Sequence, residues 1–408
     1  MMAVANLQYA WTLFTGEFSS SLHAPLPKIQ IAFSAFLIGV TCLVPFDGYL
    51  IDRFGPRPIL AIGGVLVGIG WMGAARATTV TQLVVVYTIG GLGAGIVYGG
   101  TIGNALKWFP DHRGLTVGLT SGAYGIGTAL TVAGIASMIK TSGYSHTLMV
   151  WGAAQGVVVV VAALLLENPP LDWTPSVPNR NDRSSTIRRK VRTYGGDMSS
   201  AQMIRTGSFW LIYTMMTLMS FGGLMVTAQL SPIAHSYGVD KVVVAFGMSA
   251  LVLAIQIDRI LNGLTRPVWG WISDHLGREN TMFIAFTLEA LAVFLLLRLA
   301  SHPVWFIALS GLCFFAWGEI FSLFPSITAD LFGSKWATTN FGVVLTGAGL
   351  ASIFAGPLVA LASAKTGSWS STFWAMIACD LISAFMALLW LKPLAARTVA
   401  IAHAETAS

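Results

Sequence analysis

The chain has 408 residues, of which 55% are hydrophobic and only 10% are charged, and its mean hydropathy is +0.72. A water-soluble chain of this length needs a larger share of charged residues, so the composition excludes an ordinary soluble domain. The formal net charge of +6 would suit a nucleic-acid-binding protein. The basic residues are instead distributed among loops between apolar runs, and we therefore expect no nucleic acid as a partner.

Long apolar runs predict membrane-spanning helices along the whole chain. A span takes about 20 apolar residues, and eleven runs qualify, at 29–51, 58–76, 80–106, 114–139, 147–166, 208–234, 242–272, 280–300, 303–328, 337–364 and 371–391. The first apolar stretch, Met1–Phe14, is too short to span, so we expect it to belong to a first helix that is truncated at its N-terminal end. The prediction is an all-α integral membrane protein with twelve transmembrane helices.

One long polar segment separates six predicted helices from the other six. Residues 167–206 contain the basic cluster Arg188-Arg189-Lys190-Val191-Arg192, which predicts a cytoplasmic linker that contacts anionic headgroups, or alternatively a regulatory site. The predicted domains are an N-terminal bundle, 1–166, and a C-terminal bundle, 207–395, with a cytoplasmic tail, 396–408. Lysine and arginine are more frequent in the loops on the linker's side, which predicts a multi-pass inner-membrane protein with a cytoplasmic C-terminus.

The two halves share a charged motif at a short loop. Gly48-Tyr-Leu-Ile-Asp52-Arg53-Phe-Gly55-Pro-Arg57 ends the second predicted span, and Gly270-Trp-Ile-Ser-Asp274-His275-Leu-Gly277-Arg278 ends the eighth. An aspartate here can face a helix N-terminus and neighbouring arginines. We predict a gating cluster with the members Gly48, Asp52, Arg53, Arg57, Gly270, Asp274 and Arg278; a topology anchor without a gating role is the alternative. The repeat also predicts two similar bundles, as in transporters.

Arg266 is the most informative single residue. It lies inside an apolar run, about 12 Å of helix rise before Asp274, and a cation within a membrane is costly and usually marks a substrate or ion pathway. A guanidinium can hold a carboxylate through two parallel hydrogen bonds. We therefore predict that Arg266 is the principal ligand of an anion, rather than an arginine that extends to the headgroups.

Two further charges precede Arg266 on the same helix. Arg259 is seven residues earlier and falls on nearly the same face, whereas Asp258, Asn262 and Arg266 step by four along an adjoining stripe. Asp258 and Arg259 form either a charge relay, in which the aspartate holds an arginine or takes a proton, or a static pair that braces the helix.

Other candidate sites are few. Glu319, in the tenth span, is either a proton-coupling carboxylate or the ion-pair partner of Arg259 or Arg266. The histidines and cysteines have no metal-ligand spacing, and no nucleophile motif is present, so we expect no metal, no cofactor and no enzymatic activity.

A set of short strings is spread over nearly the whole chain. The strings are Leu7-Gln-Tyr-Ala-Trp-Thr12, Gly95-Ile-Val-Tyr-Gly99, Lys107-Trp-Phe-Pro-Asp-His-Arg-Gly114, Gly122-Ala-Tyr-Gly125, Asn262-Gly-Leu-Thr-Arg-Pro-Val-Trp-Gly270, Phe315-Ala-Trp-Gly318, Leu323-Phe-Pro-Ser326, Asn340-Phe-Gly342 and Ala351-Ser-Ile-Phe354. In these strings the chain resembles the major facilitator superfamily, and more narrowly the oxalate:formate antiporter family, which is related to the monocarboxylate transporters.

The resemblance implies a major facilitator-type bundle with a central site between its halves. The residues that it places there are Gln8, Tyr9, Tyr98, Tyr124, Trp317 and Arg266, to which we add Asn262 from the stripe that leads to Arg266. It also makes spans nine and twelve peripheral, so we expect structural or packing roles for Glu289 and Asp380.

Two departures from the family pattern bear on the substrate. The resemblance implies a lysine in span eleven, where this chain has Ala348, and a tyrosine where it has Phe321. A dicarboxylate brings two negative charges into a low-dielectric site, and one arginine neutralises only one of them. The loss of the lysine therefore favours a monocarboxylate over oxalate, unless Arg259 substitutes for it.

The sequence thus predicts a secondary active transporter of small organic acid anions that works by alternating access, most simply through anion exchange. A proton-coupled monocarboxylate symporter is the first alternative, and a membrane receptor that binds without transporting is another. The expected partners are a small carboxylate anion, a proton in the symport alternative, and the lipid bilayer. We expect a monomer.

Overall fold

The structure is a computed structural model that describes residues 1–108, 113–167, 197–333 and 336–395. Some side chains inside helices are not described, among them those of Asp52, Arg53 and Asp274. Most of the predicted linker and the whole of the predicted tail therefore lie outside the described residues.

The described chain is almost entirely helical, as the sequence predicts. The first six helices are α1 (Met2–Ala5, Asn6–Tyr9 and Trp11–Ser21), α2 (Leu26–Phe54), α3 (Pro56–Ala74), α4 (Val80–Trp108), α5 (Arg113–Ile126, Gly127–Leu130 and Val132–Ser142) and α6 (Tyr144–Leu165). The second six are α7 (Gly207–Ser236), α8 (Ala250–Leu276), α9 (Arg278–Leu299), α10 (Pro303–Trp317 and Ile320–Phe332), α11 (Ala337–Ile353, Phe354–Leu358 and Val359–Thr366) and α12 (Ser370–Met386 and Ala387–Leu391). A short turn, Ser200–Met203, precedes α7.

Nine helices in the described part of the chain are long and apolar enough to cross a membrane. The exceptions are α1, which consists of three short segments and extends beyond the predicted Met1–Phe14 to Ser21, and α2, which is apolar over the shorter stretch Leu26–Thr41. The third exception, α8, carries Asp258, Arg259 and Arg266 within its length. It is therefore the charged helix that the sequence analysis singled out.

One predicted helix boundary was wrong. The apolar run 242–272 begins with a β-hairpin, in which Val243–Ala245 (β1) and Met248–Ser249 (β2) pair antiparallel, and α8 starts only at Ala250. Phe246 and Gly247 join the strands with φ angles of 52° and 69°. A two-residue type I′ hairpin turn has positive φ at both central positions, and an apolar run alone does not distinguish such a strand from a helix end.

Glycines on α4 allow α2 to approach closely. A Cβ atom at Gly95 would lie 2.6 Å from the carbonyl oxygen of Val40, and one at Gly91 would overlap the carbonyl oxygen of Phe36. Only glycine permits this backbone contact, which is the close packing expected of small residues in membrane helices. The contact fixes α4 beside α2 one turn before Tyr98, a residue of the central cavity described next.

Candidate anion-binding site

A cavity lies where helices of the two halves meet, at the level of Arg266. Its volume is about 40 Å³, and one water needs roughly 10–15 Å³ on the same measure, so a few waters or one small anion fit. The lining residues from the first half are Gln8, Tyr9, Leu37, Val40, Thr41, Tyr98 and Tyr124, and those from the second half are Ser220, Leu224, Arg266, Trp317, Phe321, Leu345 and Ala348.

Six of the seven residues predicted to bind the substrate line this cavity, namely Gln8, Tyr9, Tyr98, Tyr124, Trp317 and Arg266. Asn262 does not line it. The Tyr9 hydroxyl donates to Asn262 Oδ1 at 3.5 Å, and Asn262 packs against Gly125 and Gly318. It therefore stands behind Tyr9, where it can position the ring but does not face the cavity.

Arg266 is the cation of this cavity. Its side chain is buried, and its Nε and Nη1 atoms have no hydrogen-bond partner in the described part of the chain. The guanidinium carbon lies 4.5 Å from the ring centroid of Phe321, and the guanidinium interacts with the Tyr98 hydroxyl. A buried charge with unused donors is costly unless an anion completes its hydrogen bonds. The arrangement is therefore suited to binding a carboxylate.

Hydroxyl-bearing aromatic residues form the opposite wall. The Tyr124 hydroxyl donates to Gln8 Oε1 at 2.9 Å. The ring of Tyr124 packs edge-on against those of Tyr9 and Tyr98, with centroid distances of 5.5 Å and 5.3 Å. This wall offers hydrogen-bonding groups without a net charge, which is appropriate for an anion that must be bound and then released.

Trp317 completes the wall of the second half. It is the last residue of the first segment of α10, and its indole packs directly on the backbone of Gly223 in α7, where a side chain would collide with it. Its ring meets that of Phe321 edge-on, with a centroid distance of 5.5 Å. The absence of a side chain at Gly223 thus allows the indole to stand at the cavity.

Arg259 lies outside the cavity lining, behind Tyr9. Its guanidinium carbon is 4.1 Å from the ring centroid of Tyr9 and 3.8 Å from that of Phe314, and the residue is 2% exposed. Its neighbour Asp258 accepts a hydrogen bond from Ser310 Oγ at 2.9 Å. Neither the relay nor the static pair is established by these contacts, so both interpretations stay predictions.

Three further acidic residues are buried in the second half. Glu289, Glu319 and Asp380 are each 0% exposed, and their carboxylate oxygens have no hydrogen-bond partner among the residues that the structure describes. Asp380 and Glu319 both act electrostatically on Glu289. The sequence analysis had no means of placing Glu289 and Asp380 together, because periodicity along one helix does not say which other helix it faces.

The repeated charged motif is only partly described. Arg57 Nε donates to the carbonyl oxygen of Leu166 at 2.9 Å and its guanidinium also pairs with Glu167, whereas Arg278 Nε donates to Asp330 at 3.4 Å. Gly48 and Gly270 lie within α2 and α8, and the side chains of Asp52, Arg53 and Asp274 are outside the described residues. The gating role of the motif stays a prediction.

A polar seal joins the halves on one side of the cavity. Gln30 Nε2 donates to Gln229 Oε1 at 3.1 Å, Gln229 Nε2 donates to the carbonyl oxygen of Gly356 at 2.9 Å, and Ser34 Oγ donates to that of Ser352 at 2.6 Å. These residues lie beyond the cavity lining towards the C-terminal ends of α7 and α11. In the orientation that the loop charges predict, these hydrogen bonds would lie on the extracytoplasmic side of the cavity.

Comparison with known proteins identifies the class. A profile of the Major Facilitator Superfamily matches residues 1–261 and residues 210–407, so the chain belongs to this superfamily of membrane transporters. The "Oxalate:formate antiporter" of Oxalobacter formigenes is 32% identical over 374 residues, which cover 91% of this chain and 84% of the relative. The chain therefore belongs to the family of that antiporter, and the resemblance inferred from the short strings is confirmed.

Other relatives are more distant. The uncharacterized transporter YhjX of Escherichia coli is 27% identical over 85% of this chain and 81% of its own length, and the monocarboxylate transporter 13 of Bos taurus is 22% identical over 88% and 80%. A crystal structure of a mutant form of the nucleoside transporter NupG superimposes with a TM-score of 0.71 at 15% identity, covering 95% of this chain and 98% of that one. The last comparison confirms the fold alone.

Proposed function

We propose that the protein exchanges small organic acid anions across a membrane and that Arg266 binds the carboxylate. The observation that carries the proposal is a buried guanidinium, in a cavity between the halves, with two nitrogen donors that have no partner among the described residues. The family relationship to an oxalate:formate antiporter supports exchange as the mode of transport.

The site gives exchange a physical reason. A cation without a partner is costly to carry through a low-dielectric environment, so the empty transporter should reorient slowly. A bound anion neutralises Arg266 and removes that penalty. Release of one anion and binding of another then alternate, while the halves rock around the cavity and the polar seal forms or breaks.

Counterflow in liposomes tests this proposal. Vesicles containing the purified protein are preloaded with unlabelled oxalate, formate or lactate, or with no anion, and uptake of the same labelled anion is followed. We expect transient accumulation with at least one small carboxylate and slow uptake into unloaded vesicles. Net efflux into anion-free buffer as fast as exchange would contradict obligatory exchange, and no carboxylate-dependent uptake by folded protein would contradict the proposal as a whole.

Symport with a proton is a second candidate function, and the unpartnered acids favour it. Glu289, Glu319 and Asp380 lack hydrogen-bond donors in the described residues, and a buried carboxylate in that state readily holds a proton. A pH-sensitive dye inside the vesicles separates the candidates. Symport predicts that the lumen acidifies as formate enters anion-free vesicles, whereas exchange with a preloaded anion predicts no acidification above that of protein-free vesicles.

A further inference from the structure

We propose that Arg259 is a second anion ligand, shielded by Tyr9, and that it allows the protein to carry dicarboxylates despite Ala348. This inference rests on the proposed function, because it concerns the substrate class of the same transporter. It extends the site by one residue that does not line the cavity.

The first argument is the state of the Arg259 side chain. It is 2% exposed, and its Nε and Nη1 atoms lack hydrogen-bond partners within the described residues. The rings of Tyr9 and Phe314 both lie against the guanidinium, and Nε and Nη1 still have no acceptor among the described residues. Aromatic rings stabilise the charge through their faces, but they do not replace the in-plane acceptors that a buried guanidinium requires. An anionic group would supply those acceptors.

The second argument is that Asp258 does not supply the missing hydrogen bonds of Arg259, although the two charges are neighbours in the sequence. Asp258 directs Oδ1 to the hydroxyl of Ser310, which donates to it at 2.9 Å. Asp258 Oδ2 and the Nε and Nη1 atoms of Arg259 have no hydrogen-bond partner in the described part of the chain, so these nitrogens do not donate to their sequence neighbour. Arg259 and Arg266 are alike in this respect, since Nε and Nη1 of each lack a partner in the residues that the structure describes.

The third argument is the position of Tyr9. One side of this residue lines the cavity that holds Arg266, and its ring lies against Arg259. The Tyr9 hydroxyl contacts Asn262 Oδ1 at 3.5 Å, which is at the long end of hydrogen-bond distances, and it also interacts with the Arg259 side chain. A rotation of the Tyr9 ring would join the two arginines in one space, because seven residues place them on nearly the same face of α8.

Charge balance then gives the substrate class. A dicarboxylate anion carries two negative charges, and Arg266 neutralises one of them. Ala348 lines the cavity without a charge, so the second charge needs another cation. Arg259 supplies it, and a short dicarboxylate held between the two arginines would have each carboxylate paired with one guanidinium.

The experiment compares oxalate and formate exchange in the same liposomes. Arg259→Met removes the charge but keeps a long apolar side chain, and we expect it to lower the ratio of oxalate to formate exchange by at least about tenfold, because a buried charge loses its partner. Formate exchange should stay within about threefold of the wild type, since one arginine suffices for one carboxylate. Arg298→Met is the matched control. Arg298 is exposed, and its guanidinium carbon also lies over a phenylalanine ring, 5.4 Å from the ring centroid of Phe294. Its replacement should leave the oxalate and formate exchange rates unchanged.

A double variant that moves the positive charge tests whether Arg259 binds the anion or only stabilises α8. Arg259→Met combined with Ala348→Lys returns a cation to the cavity, and we expect the oxalate-to-formate ratio to recover at least in part. Equal loss of both activities in Arg259→Met, without recovery in the double variant, would show that Arg259 only braces α8 and would overturn the inference. An unchanged ratio in Arg259→Met, or a wild type that exchanges formate but not oxalate, would overturn it as well.

A further variant covers the case in which Arg259→Met does not fold. Ala348→Lys alone, with Arg259 intact, should change the oxalate-to-formate ratio by less than about threefold, because the second charge is already present. A rise of about tenfold or more would show that the wild type lacks a second cation, which would overturn the inference. A wild type that exchanges no carboxylate at all would instead refute the proposed function, and with it this extension.

Discussion

The two halves of the molecule contribute different chemistry to the cavity. In the part of the chain that the structure describes, every buried charged side chain belongs to the second half: Asp258, Arg259, Arg266, Glu289, Glu319 and Asp380. The first half contributes neutral groups instead, the amide of Gln8 and the hydroxyls of Tyr9, Tyr98 and Tyr124. The two halves share a sequence motif, but among the described residues that line the cavity only the second half supplies a charge, that of Arg266.

This difference indicates how an anion could be held and released. Under the proposed function, Arg266 of α8 would balance the charge of the substrate, and we expect the anion to remain with the second half while the halves rock. The first half would contact the anion through neutral hydrogen bonds, each of which is individually weak. The neutral wall of the first half could therefore move past the anion at a low cost in free energy. A charge on that wall would also pair with the anion and would hold the two halves together.

Among the three variants, Arg266→Gln should reduce the exchange rate most, because it removes the charge that the second half contributes to the cavity. We expect exchange of every carboxylate to fall by at least about 100-fold, as is typical when a desolvated charge pair loses one partner. Arg266→Lys should retain part of the activity, since it keeps the charge but not the two parallel donors. Initial exchange rates at matched protein density measure this. A rate for Arg266→Gln close to that of the wild type would contradict the division between the halves.

Gly223→Ala, also in the second half, should reduce the exchange rate less than Arg266→Gln does. The added methyl group would collide with the indole of Trp317, and overpacking of this kind costs about 1–3 kcal/mol of folding free energy. We expect a loss of thermal stability and a lower exchange rate, because the shifted indole narrows the cavity. Gly16→Ala is the matched control, since a Cβ atom there would meet nothing within 4 Å. Equal stability of the two variants would show that Trp317 is not fixed by Gly223.

Tyr124→Phe should have the smallest effect, because it alters only the neutral wall. It deletes the hydroxyl that donates to Gln8 Oε1, and a neutral hydrogen bond contributes about 1 kcal/mol. We expect the half-saturating anion concentration to rise about three- to tenfold, while the maximal rate changes less. Saturation curves for labelled formate measure both quantities. An effect as large as that of Arg266→Gln would mean that the first half carries more of the binding energy than its neutral groups suggest.

The helical architecture and the position of Arg266 at a site within the membrane could both be predicted from the sequence on physical grounds. Apolar runs of membrane length and one costly intramembrane charge are visible without any structure. The lining tyrosines were a different case, since an aromatic residue in a membrane helix is usually a packing residue. Only the family resemblance singled out Tyr98 and Tyr124, and the structure places both at the cavity.

What the sequence did not predict depends on contacts between helices. The enclosure of Arg259 by Tyr9 and Phe314 joins three helices, and the electrostatic contact between Glu289 and Asp380 joins two others. Helical periodicity gives a face but not the neighbour of that face. The placement of Asn262 behind Tyr9 was missed for the same reason, because a step of four along α8 does not tell which of its stripes faces the cavity.

Calorimetric titration of the purified protein with formate and with oxalate tests the central claim most directly. The claim is that Arg266 supplies the charge that binds a carboxylate, and binding can be measured without transport. The wild type should bind at least one of these anions, and Arg266→Gln should show no saturable binding while it unfolds at a similar temperature. Saturable binding of the same anion by folded Arg266→Gln, with an affinity close to that of the wild type, would contradict the account.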